Sequence, residues 1–257
     1  MRRLLPLILL LALASGCTGS RTGKPAVEVN VWAASSLKDA LTKLAPDFEK
    51  DNNAKLVFNF ASSGDLQTQI EQGARADVFL SAGKKQMDAL ARKNLIDPAS
   101  RANFLGNNLV VAVPSAGNVK IAKVEDIAAL PGIRHIAVGN PSEVPAGKYA
   151  QQSLETANIF KAVKLKLVLA KDVRQVLAYL ETGDADLGFV YASDLKVAKN
   201  VKNALTVPDT YHDPIVYPLA VVRGGKQPKP AAKFTDYIRS KPAQKIFADY
   251  GFKPAAN

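Results

Sequence analysis

Val27-Glu28-Val29-Asn30-Val31-Trp32-Ala33-Ala34-Ser35-Ser36-Leu37 is the stretch on which the fold reading turns. Its first half alternates apolar and polar side chains, the period-2 signature of a strand. Leu37, Ala40, Leu41, Leu44 and Phe48 then recur at helical spacing, although Pro46 should kink or shorten that helix. A strand therefore runs straight into a helix, with Ser36 at the junction. Asp39 follows Ser36 by three residues, and this S-x-x-D arrangement marks Ser36 as a helix N-cap.

The same rhythm continues outward. Strands are expected at Leu56–Ala61, Asp77–Leu80 and Leu109–Val113, with helices at Leu66–Gln72 and Met87–Lys93. In the second half, strands at His135–Val138, Leu167–Ala170, Leu187–Val190 and Ile215–Val222 alternate with helices at Gly147–Ala157 and Asp172–Glu181. Two more helices start at Pro230 and Pro242, each a favourable first helical residue. Alternation of this kind predicts an α/β fold with two mainly parallel sheets flanked by helices. Two halves of similar style suit two lobes with a hinge and a central cleft. The crossovers are expected near Asn107-Asn108 and Asp213-Pro214, which assigns 27–107 and 214–257 to the first lobe and 108–213 to the second.

Before Val27 the chain carries a different signal. Arg2 and Arg3 precede an apolar run, Leu4 to Ala14, too short to span a bilayer. Leu13-Ala14-Ser15-Gly16 then leads into Cys17, the sole cysteine of the chain. The order resembles a bacterial lipoprotein signal, which implies residues 1–16 as signal peptide and lipidation at Cys17. It also implies an extracytoplasmic body, in the periplasm or at the cell surface. Residues 17–26, rich in small and polar side chains, read as a flexible spacer between lipid and body.

Composition excludes several function classes. The net charge is +11, or +9 without Arg2 and Arg3, but the lysines are dispersed and no aromatics are threaded among them. That pattern argues for a solvated surface and against nucleic acid. With Cys17 lipidated, no free thiol or disulfide is expected, and no cofactor. His135 and His212 are the only histidines and lie far from metal-ligand spacing, so no direct metal-cation site is expected. No G-x-S-x-G elbow occurs, and the glycine spacing before Lys148 is too long for a P-loop. A hydrolase using Ser36 or Ser63 as nucleophile lacks a plausible base. The chain is therefore read as a binding protein and not an enzyme.

Small or hydroxylated residues recur where strands give way to helices: Ser36, Ser63 (read, like Ser36, as an N-cap), Pro145-Ala146-Gly147 and Asp172-Val173-Arg174, with Tyr191 ending a strand. Helix N-termini gather at the carboxyl ends of strands in open α/β sheets, and each offers unpaired N–H groups to an anion. In order and spacing this set resembles the molybdate-binding (ModA) family of ABC transporters. The matching segments include Val31-Trp32-Ala33-Ala34-Ser35-Ser36-Leu37, Ala76-Asp77-Val78-Phe79-Leu80-Ser81-Ala82, Val144-Pro145-Ala146-Gly147 and Gly188-Phe189-Val190-Tyr191.

The resemblance implies a periplasmic-binding-protein type II fold and an oxyanion site at Ser36, Ser63, Ala146, Val173 and Tyr191. Hydroxyls would come from Ser36, Ser63 and Tyr191, and backbone N–H groups from most of the set. The implied ligand is molybdate or tungstate, with sulfate or phosphate as the alternative. The implied partners are an ABC permease and its ATPase, with the binding protein itself a monomer; a ligand-sensing partner of a signalling receptor is a further possibility. Gly64-Asp65 departs from the family, where hydroxylated residues are familiar, and a carboxylate there should disfavour a dianion unless it points into solvent. Arg174 is expected to make a structural ion pair and not to touch the anion.

Overall fold

The computed structural model describes residues 25–117 and 119–255. The signal segment and Cys17 lie outside the described residues. Strands are β1 (Val27–Ala34), β2 (Ala54–Ala61), β3 (Val78–Leu80), β4 (Ala102–Gly106), β5 (Leu109–Pro114), β6 (Ile136–Gly139), β7 (Leu167–Ala170), β8 (Leu187–Tyr191), β9 (Val201–Thr206), β10 (Val216–Val221) and β11 (Lys253–Pro254). Helices are α1 (Lys38–Asn52), α2 (Ser63–Glu71), α3 (Lys84–Arg92), α4 (Pro145–Thr156), α5 (Phe160–Val163), α6 (Val173–Thr182), α7 (Ala192–Leu195), α8 (Pro228–Ile238) and α9 (Lys241–Asp249).

The strands form a six-stranded sheet ordered β11-β4-β10-β3-β1-β2 and a five-stranded sheet ordered β7-β6-β8-β5-β9. The two-sheet α/β architecture matches the sequence expectation: β1, β2, β3 and β4 run one way in the first sheet and β6, β7, β8 and β9 in the second, each sheet being mixed by its remaining strands. β1 pairs in parallel with β2 and β3, and β6 with β7 and β8. β10 runs antiparallel to β3 and β4, and β5 antiparallel to β8 and β9. The antiparallel strands are those next to the crossovers. They enter a sheet from the other lobe, so no right-handed βαβ unit fixes their direction. The chain changes sheet across Asn107-Asn108 and returns between β9 and β10.

In the first lobe, Leu66, Ile70, Met87 and Leu90 of α2 and α3 pack with Phe79 and Ala220 of the sheet. Leu41, Leu44 and Phe48 of α1 pack with Phe234 and Phe247 of the C-terminal helices in a separate, larger core. Phe48 meets Phe234 edge-on at 5.1 Å. This core explains why α1 overrides Pro46, which lies inside it. A mid-helix proline costs roughly 3 kcal/mol, less than burying Leu41, Leu44 and Phe48 returns at about 1.5–3 kcal/mol each. The two C-terminal helices begin at Pro228 and Lys241, slightly before Pro230 and Pro242.

Candidate functional site

Five strands, β1, β2, β6, β7 and β8, point their carboxyl ends at the seam between the lobes. Each leads into one of the expected positions, which lie from the strand's last residue (Tyr191) to seven residues beyond it (Ala146). Ser36 lies in a 3-10 turn, Ser35–Leu37, between β1 and α1. Ser63 is the first residue of α2, Ala146 the second of α4 and Val173 the first of α6. Tyr191 closes β8. All five are at most 3% exposed. They line a single small cavity of about 10 Å³ with Ala34, Ser35, Ala61, Ser62, Ala82, Val144 and Pro145. That volume lies far below the roughly 300–1,000 Å³ usual for drug-sized ligands and leaves room only for a very small one.

Two capping expectations need correction. Ser36 makes no side-chain cap; its Oγ lies 3.1 Å from the Tyr217 hydroxyl. Asp39, expected to complete the cap, pairs instead with Arg174 across the cleft. The cap of α2 is Ser62, whose Oγ accepts from the Asp65 N–H at 3.0 Å. Ser63, one residue on, accepts from the Ala82 N–H at 2.9 Å. That backbone donor occupies a lone pair of Ser63 Oγ and leaves the hydroxyl proton free for the cavity.

The chemistry of the lining is one-sided. No Asp, Glu, Lys, Arg or His is among its residues. The first-turn N–H groups of α2, α4 and α6, including those of Ala146 and Val173, have no intrahelical acceptor and carry partial positive charge. The Tyr191 N–H donates to Asp194 Oδ2 at 3.0 Å, so this residue has its hydroxyl to offer. That hydroxyl is buried without a well-formed hydrogen bond to any described residue. Burial, then the neighbouring Tyr217, pushes its ionisation well above the usual phenol range, so it remains a donor. The cavity thus presents donors to whatever it encloses.

Asp65 is half-buried and is not among the lining residues. Gly64 has a geometric cause. Its N–H donates to Glu143 O across the cleft at 2.9 Å, and a Cβ there would stand 2.6 Å from Glu143 Cα. No side chain fits while the lobes are in contact. Arg174 makes the expected ion pair, with Nη2 2.5 Å from Asp39 of the first lobe and Nε 3.1 Å from Asp194 of the second. Its Nη2 also donates to Ser36 O at 3.4 Å. Burial lifts Asp194 to about 6 despite Arg174 beside it.

Sequence reading missed the polar groups behind the cavity: Asn107, Ser193 and Tyr217, all buried. A lone phenol in the apolar run Val216–Val222 was the available signal for Tyr217. Among the described residues no group of three or more His, Cys, Asp or Glu could hold a metal ion, and no helix is long and apolar enough to cross a membrane.

Residues 29–253 match the family described as bacterial extracellular solute-binding protein. The putative ABC transporter substrate-binding lipoprotein YvgL of Bacillus subtilis is 38% identical over 244 residues, 93% of each chain. The molybdate-binding protein ModA of Escherichia coli is 41% identical over 229 residues, 88% of each chain. Among solved structures, the periplasmic molybdate-binding protein of Azotobacter vinelandii superposes with a TM-score of 0.80 at 26% identity, covering 89% of this chain and 100% of that one.

Proposed function

Because the chain belongs to the molybdate-binding (ModA) family of bacterial extracellular solute-binding proteins, we propose that its buried cavity captures molybdate or tungstate for an ABC permease and its ATPase. The observation that carries this reading is a lining of hydroxyls and helix N-termini, with five strand ends converging on it from both lobes and no charged side chain among them. Molybdate and tungstate are fully deprotonated at neutral pH and can only accept hydrogen bonds. A protonated oxyanion would require an acceptor in the wall. Ser36, Ser63 and Tyr191 supply hydroxyls; Ala146 and Val173 supply backbone N–H groups. Arg174 stays outside the contact shell, tied to two carboxylates.

The protein performs no chemistry on its ligand and acts as a monomer. Its lipid anchor is Cys17, a role consistent with the lipoprotein name of the Bacillus subtilis relative. Calorimetric titration of the purified protein with molybdate, tungstate, sulfate and phosphate tests the proposal. Molybdate and tungstate should bind at least about a hundredfold tighter than sulfate, a gap of roughly 2.7 kcal/mol. Equal affinities for sulfate and molybdate would overturn the assignment. In the same assay, Ser63→Ala should lose about 1.5–3 kcal/mol of molybdate affinity, the usual worth of a hydrogen bond to a charged group.

A further inference from the structure

Asn107, at the crossover between the lobes, anchors a chain of hydrogen bonds whose direction can be read from its fixed end. The Asn108 backbone N–H donates to Asn107 Oδ1 at 2.9 Å, and a backbone amide has no alternative role. This fixes the side-chain amide, so Nδ2 is the group that faces Ser193 Oγ at 2.8 Å and the Tyr217 hydroxyl at 3.3 Å. Nδ2 can only donate. The Tyr217 oxygen therefore accepts from Asn107, which leaves its own proton available for Ser36 Oγ, 3.1 Å away. A Tyr217 hydroxyl that donates to Ser36 leaves the Ser36 proton available to the cavity.

We infer that Asn107 and Tyr217 are positioning residues that hold the Ser36 hydroxyl as an obligatory donor, and thereby select fully deprotonated oxyanions over protonated ones. The inference rests on the reading of the cavity as an oxyanion site. Neither residue lines the cavity; both are buried behind it, at 4% and 0% exposure. Ser63 reaches the same state by a different route, through the Ala82 N–H. That bond is a backbone fixture, whereas the support of Ser36 runs through side chains and can be removed by substitution.

The test is a titration at about pH 8 with molybdate and hydrogen arsenate, two dianions of similar size of which only the second carries a proton to donate. Tyr217→Phe should shrink the preference for molybdate by about tenfold, because the released Ser36 hydroxyl can turn and accept the arsenate proton. In a Ser36→Ala background the same substitution should change the preference less than about twofold. Equal changes in both backgrounds would show that Tyr217 acts on packing and would overturn the relay.

Asn107→Asp provides a second route if Tyr217→Phe does not fold. The new carboxylate draws the Tyr217 proton to itself and reverses the chain. Its charge acts alike on both dianions, so the ratio isolates the hydroxyl; it should fall by about tenfold. An unchanged ratio overturns the relay. A wild-type protein that prefers sulfate refutes the molybdate reading alone, and the cycle is then run with sulfate against hydrogen arsenate. One that binds no oxyanion refutes both.

Discussion

Asp194 shows how a single buried group links the site to solution conditions. Its carboxylate sits under Tyr191, accepts from the Tyr191 N–H and lies 3.1 Å from Arg174, yet burial raises it from 3.8 to about 6. A carboxyl raised on folding holds its proton more tightly in the native state. Its favourable contribution is therefore complete below the unfolded value and is lost as pH rises through about 6. Asp194→Asn removes that dependence. The stability of the wild type relative to this variant should fall by on the order of 1–3 kcal/mol between about pH 4 and pH 7, read from urea unfolding at each pH. A pH-independent difference would contradict the role given to burial. At this scale the sequence was partly legible. Hydroxylated residues at strand-to-helix junctions are local signals, and Ser36 and Ser63 stand out by eye. The choice between Ser62 and Ser63 as cap was not, because the two are adjacent and alike. What separates them is the Ala82 N–H, 19 residues away.

Among the elements, α4 is the one held by the closest contact. Its third residue, Gly147, lies so near the end of β6 that a Cβ would come within 1.8 Å of Gly139 O. The glycine lets the helix N-terminus settle onto the strand and so places the Ala146 N–H in the cavity wall. Gly147→Ala should lift that end of the helix, costing about 1–3 kcal/mol or more in stability through overpacking. Molybdate affinity should drop at least about tenfold, since a donor moved by an ångström no longer reaches its acceptor. Thermal unfolding and calorimetry on the same sample decide it; normal binding would show that α4 does not set the donor. Sequence patterning found the alternating strands and helices but passed over β4 and β9. β9, Val-Lys-Asn-Ala-Leu-Thr, is an exposed edge strand without a regular apolar face. β4, Ala-Asn-Phe-Leu-Gly, is short and buried mainly at its end. The antiparallel entries of β5 and β10 were illegible for another reason: a strand's direction depends on where the chain comes from, which local periodicity does not record.

Across the whole molecule, the lobes touch through groups that do not themselves line the cavity. Gly64 N–H reaches Glu143 O from one side of the seam, and Arg174 reaches Asp39 from the other. An anion held by Ser36 and Ser63 on one lobe and by Ala146, Val173 and Tyr191 on the other can satisfy both sets only when the lobes meet. Binding then shifts the population toward the closed arrangement. Gly64→Ala separates closing from folding. The added methyl would lie 2.6 Å from the Glu143 backbone in the closed form, a clash that disappears once the lobes part. Affinity for molybdate should fall at least about tenfold, while the anion-free protein keeps its stability or gains up to about 1 kcal/mol from the better helix former. Small-angle scattering should show the variant failing to contract at a molybdate concentration that contracts the wild type. Contraction at the same concentration in both would argue that the seam tolerates a side chain.

The position of β10 has a consequence for how the molecule comes into being. It lies in the middle of the six-stranded sheet, between β4 and β3, but is made after the whole second lobe. Without it, that sheet is two fragments: β3-β1-β2 on one side and β11-β4 on the other. The five strands of the second lobe, by contrast, are contiguous from Leu109 to Thr206 and need nothing from outside. An emerging chain can therefore complete its second lobe while its first half still waits for a partner strand. Pairings this distant in sequence form slowly, so the six-stranded sheet is completed after the five-stranded one. Such delay leaves β1, β2 and β3 without their partner β10 until the second lobe is made, so the order of synthesis and the order of sheet completion run opposite ways.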